Sequence, residues 1–114
     1  MNVAGRKIGP MPSFRVQFQV SGLRPGHRPD EVLEVARAAV VAPLHCDDVR
    51  LDMPAGVPTV TVRFTIAGSH DADEDARARR HGAQITQQVS QVAVVSPPRV
   101  LRRRGGSWLP IPAL

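Results

Sequence analysis

The segment Val60-Thr61-Val62-Arg63-Phe64-Thr65-Ile66-Ala67-Gly68 carries the clearest strand signal in the chain. Val60, Val62, Phe64 and Ile66 share one face and Thr61, Arg63 and Thr65 the other, the period-two alternation of a strand with one face buried and one face wet. Forty-six positions earlier the chain reads Phe14-Arg15-Val16-Gln17-Phe18-Gln19-Val20-Ser21-Gly22. Apolar residues align with apolar at the inward positions and polar with polar at the outward ones, so the same half-buried strand is written twice.

The remaining elements follow from these two. Ser21-Gly22 ends the first strand, and a loop rich in turn formers leads to Pro29, which suits the first position of a helix. Asp30 and Glu31 face that helix's positive end. Val32, Leu33, Val35, Ala36, Ala39 and Val40 recur at helical spacing, and Pro43 stops the helix after Val40 or Val41. His45-Cys46-Asp47-Asp48 reads as a loop and Val49 to Met53 as a strand. The short turn Pro54-Ala55-Gly56 makes that strand an antiparallel neighbour of the segment at Val60. After Gly68, Asp71 and Glu74 have capping-box spacing. Ala78, Gly82, Ile85, Val89 and Val92 form one helical stripe whose small early residues allow close approach to a sheet. Gly82 costs about 1 kcal/mol against alanine in a helix interior. Pro97-Pro98 breaks the chain before a last strand, Arg99 to Arg103. Ser107 to Ile111 returns after Arg104-Gly105-Gly106 as an extra edge strand.

Strand, helix, strand, strand, helix, strand is the order of an α+β protein. Over residues 13–103 it resembles the ferredoxin-like βαββαβ plait, which implies a four-stranded antiparallel sheet with two helices on one face. Right-handed crossovers then give the order 4-1-3-2, with the first strand beside its echo. Residues 1–12 read as a flexible arm and 104–114 as a C-terminal hairpin or docking tail. The fold hosts many functions and assigns none.

Composition narrows the function. The 114 residues suit one domain with one modest core. The net charge is +5, nearly all of it arginine, which favours anionic partners. One cysteine, Cys46, excludes an internal disulfide framework and any Cys-x-x-Cys motif. No apolar run reaches the length of a membrane span, and the stretch after Arg6 and Lys7 lacks the apolar core of a secretory signal. The expectation is a cytoplasmic protein without a membrane partner.

Two features invite binding. The outward residues Arg15, Gln17 and Gln19 lie beside Thr61 and Arg63, a polar sheet face. RNA-recognition domains share the plait topology and stack bases on aromatic residues of this face; no aromatic residue occupies these outward positions, which argues against that mode. The second feature is Arg99, Arg102, Arg103 and Arg104 next to Trp108, where arginines grip a phosphate backbone while the indole stacks. The tail residues Trp108, Leu109 and Ile111 are costly to leave in water, at about 25 cal/mol per Å² of apolar surface, so they lie on their own domain or on a partner. No spaced metal-ligand pairs, oriented nucleophile, opposed carboxylates or Gly-rich phosphate loop stand out. The expectation is a non-enzymatic interaction or assembly module without cofactor or metal, acting through homo-oligomerisation or as a subunit of a larger complex. The alternatives are a nucleic-acid-binding module using the arginines and the sheet face, and a small enzyme of the dimeric α/β-barrel type.

Overall fold

The computed structural model describes residues 11–112. The arm assigned to residues 1–12 lies outside the described residues apart from its last two positions, as do the final two residues of the tail. The elements run β1 (Ser13–Leu23), α1 (Pro29–Ala38), β2 (His45–Asp52), a short 3-10 turn (Pro54–Gly56), β3 (Thr59–Thr65), α2 (Asp71–Val89), β4 (Ala93–Val95), β5 (Arg99–Arg104) and β6 (Ser107–Pro110). The protein is α+β, with two helices and one sheet of order β2-β3-β1-β5-β6, in which β4 also pairs with β1. Every strand pairing is antiparallel.

The two alternating segments are central neighbours. Phe14 stands opposite Phe64, Val16 opposite Val62 and Phe18 opposite Val60. These six side chains are the heart of the core, each at most 2 % exposed. The Phe14 and Phe64 rings pack with centroids 6.1 Å apart. Burying each large apolar side chain stabilises by about 1.5–3 kcal/mol, so this pairing holds the sheet's middle. Both helices cover the same apolar face. Val32 and Ala36 of α1 and Ala78, Ile85 and Val89 of α2 join the same core.

Six strands form among the described residues, where the plait's four and the extra C-terminal edge strand were expected. Pro97-Pro98 divides the last strand: β4 pairs with Val20 to Leu23 of β1 and β5 with Phe14 to Gln17. Gly105 and Gly106 both take positive φ, 52° and 90°, as a two-residue hairpin with the sheet's twist requires, and β6 returns beside β5. Helix α2 stops at Val89, so Val92 leaves the helical stripe and packs from the connection into β4, 8 % exposed. The His45-to-Asp48 stretch is strand rather than loop, and pairs with β3 through a register shift between Cys46 and Asp48. No described helix is long and apolar enough to cross a membrane.

Candidate functional site

The uncovered face of the sheet is built by strand alternation. Residues directly opposite in an antiparallel pair share a face. Arg15 stands opposite Arg63 on one side and Leu101 on the other. Across the Gly105-Gly106 hairpin, Arg103 stands opposite Trp108. All five side chains therefore lie on the open face, and three guanidiniums meet the indole there. The Arg15 guanidinium carbon lies 4.2 Å from the Trp108 ring centroid. Those of Arg63 and Arg103 lie 5.3 Å from it. Leu101, on this face beside Arg15, is only 7 % exposed.

Three guanidiniums around one indole gain cation–π attraction of about 0.5–2 kcal/mol each and repel one another. Ion pairs among the described residues engage Arg28, Arg50, Arg102 and Arg104, not these three. Asp48 stands opposite Arg63, yet its carboxylate pairs with Arg50 at 3.8 Å. The Nε atoms of Arg15 and Arg63 are buried with no hydrogen-bond partner among the described residues. Burial, followed by the charges of Arg50, Arg63 and Arg103, lowers the Arg15 pKa below the usual guanidinium value. Arg15 still remains a cation at any physiological pH. A bound anion would relieve this repulsion and supply acceptors to the donors left over.

Around this centre, Gln17 donates from Nε2 to Thr61 Oγ1 at 3.2 Å, and Arg99 stands opposite Gln17. Gln19 is exposed, and its backbone N–H donates to Ser96 Oγ at 2.8 Å. Thr61 is 4 % exposed although it points to the open side.

The arginines grouped at 99–104 divide between the two faces. Arg99 and Arg103 belong to the open face. Arg102, opposite Phe14, points to the helix side and is 7 % exposed. Its guanidinium donates to Glu74 Oε1 at 2.6 Å and to Asp75 Oδ1 at 2.9 Å. Arg104 donates to Asp71 Oδ2 at 2.6 Å. These two arginines fasten the start of α2 to β5. Glu74 also accepts from the Ser69 backbone N–H at 2.6 Å, which replaces the expected capping box of Asp71 and Glu74. The apolar tail lies on its own domain: Ile111 donates its N–H to the Val100 carbonyl at 2.9 Å and packs against the core. Leu109 remains 49 % exposed.

The strands β1 and β3 alone offer no aromatic residue to this face, and reading them without the tail misses Trp108. The signal was present in the hairpin: a two-residue turn at Gly105-Gly106 pairs Arg104 with Ser107 and hence Arg103 with Trp108. The fold and the site together define a small α+β protein with a cationic, tryptophan-bearing sheet face. Among known protein-family models, curated proteins and solved structures, none matches the chain.

Proposed function

We propose that the open sheet face binds single-stranded nucleic acid, with Arg15, Arg63 and Arg103 receiving phosphates and Trp108 offering an indole surface to a base. The observation that carries this reading is the convergence of three arginines, none paired to a carboxylate among the described residues, on the sole tryptophan. Cationic side chains tracking a backbone beside a stacking platform are the two parts such binding needs. A sheet face enters neither groove of a duplex as readily as it receives an unpaired strand. The fold we assign is a ferredoxin-like plait whose last strand is divided by Pro97-Pro98 and extended by β6. The strand order, with β1 and β3 central, supports it. The protein acts by binding rather than by chemistry of its own, and a cytoplasmic setting suits a single unpaired Cys46.

The test is fluorescence anisotropy of a labelled single-stranded oligonucleotide. Three phosphate contacts give a log–log salt slope of about −2, so affinity falls about twentyfold between about 50 and about 200 mM salt. Arg15→Gln and Arg63→Gln each flatten the slope by about 0.7. No binding at low salt, or binding indifferent to these variants, removes the proposal.

A further inference from the structure

We infer that β2 is a dimerisation edge, which pairs antiparallel with β2 of a second copy about a two-fold axis through Leu51. Among the described residues, strand β2 ends the sheet, with β3 as its only strand neighbour. An edge of this length exposes a row of unpaired backbone donors and acceptors, which proteins commonly blunt with charged side chains, proline or a β-bulge. This one has its irregularity at one end, between Cys46 and Asp48, and beyond it carries charges of alternating sign that a second copy can match. Asp48, Arg50 and Asp52 follow one another on the open face, opposite Arg63, Thr61 and Thr59 of β3. On the helix side the same edge leaves Leu51 47 % and Met53 56 % exposed. Leu51 also lines an apolar cleft with Leu33, Val32 and Pro58.

Charge and apolar matching together select the register. With the axis through Arg50, each Arg50 would face Arg50 of the partner subunit, and Asp48 would face the partner's Asp52. Both contacts repel. With the axis through Val49, Arg50 would face the partner's Asp48 twice, but Leu51 would face the partner's Asp47, across the irregular part of the strand. With the axis through Leu51, Arg50 faces the partner's Asp52 twice, Leu51 faces the partner's Leu51, and Val49 faces the partner's Met53, the residue that follows the strand. Each cross-strand pair between Val49 and Met53 is then either oppositely charged or apolar. Within one chain Arg50 already lies 3.2 Å from Asp52, so the dimer closes a four-membered ring of alternating charge. The contact is self-complementary and closed, as a two-fold interface must be. It lies at the far edge from β6, and it stands independently of nucleic-acid binding.

The test is solution mass by light scattering, followed by two register-specific variants. Twice the 12.3 kDa of one chain is expected. Arg50→Asp places like charges opposite at two positions and weakens the dimer about tenfold or more. Adding Asp52→Arg to it restores the dimer. Arg50 and Asp52 are exposed, so folding is retained and circular dichroism verifies it. Opposed Cα atoms in an antiparallel pair are about 4.5–5.5 Å apart, within disulfide reach. Leu51→Cys in a Cys46→Ser background therefore gives a covalent dimer under mild oxidation. A strict monomer at high concentration overturns the inference, as does a dimer in which the charge exchange fails or the Leu51→Cys variant does not crosslink.

Discussion

At the scale of single residues, Arg102 and Arg103 show how neighbours in sequence take opposite tasks. Arg102 sits 7 % exposed against Glu74, itself 4 % exposed. Removing one member of a buried pair strands the other charge, at a cost of about 3–5 kcal/mol. Arg102→Ala is expected to lower unfolding stability by that amount in urea titration. Arg103→Ala, on the exposed side, is expected to change stability by about 0.5 kcal/mol or less while weakening oligonucleotide binding. Equal stability losses in the two variants would contradict this division. In the sequence the arginines from 99 to 104 read as one patch, because charge is visible there and the facing carboxylates are not. Glu74 and Asp75 lie 28 and 27 positions from Arg102, and nothing local announces the contact. Alternation alone already separates Arg102 from Arg103 once the segment is taken as a strand.

At the scale of elements, α2 sets helix propensity against packing. Gly82 is buried in the helix interior, where alanine would ordinarily gain about 1 kcal/mol. A Cβ there would lie 2.8 Å from Val100 Cγ2 and 3.3 Å from Val16 Cγ2. Both valines are anchored in the core, so the helix must lift from the sheet. Gly82→Ala is expected to destabilise by about 1–3 kcal/mol despite better propensity, measured as a fall in the denaturation midpoint. A stabilised variant would show that α2 has room to move. The close approach was legible from the small residues Ala78 and Gly82 on one stripe. The two central strands were legible because each alternates along most of its length. Strand β4 was not: Ala93, Val94 and Val95 continue an apolar run from Val89 and Val92, and so short a strand carries no period. Its pairing with β1 comes from the tertiary fold.

At the scale of the whole molecule, charge governs how stability depends on pH. The Asp30 carboxyl is held below its ordinary value chiefly by Arg28, Glu31 by the Arg28 backbone N–H, and Asp71 by Arg104. A carboxylate with a depressed folded pKa stabilises above its unfolded pKa and loses that contribution as pH falls through the folded value. Burial likewise lowers the pKa of His81, so its unfolded form takes up a proton first on acidification. Thermal midpoints are therefore expected to begin falling below about pH 6.5 and to drop more steeply below about pH 4. A midpoint that rises on acidification would contradict these assignments.

The same charge balance leaves Arg15, Arg63 and Arg103 around Trp108 without carboxylate partners among the described residues. Trp108 is the chain's one tryptophan, so its emission reports on this face alone. The most direct measurement is tryptophan fluorescence during titration with a short single-stranded oligonucleotide at low salt. Saturable quenching is expected, reversed by added salt and weakened in Arg15→Gln. Emission that stays constant through the titration, even while the oligonucleotide binds, would show that the arginine–tryptophan face is not where nucleic acid is held.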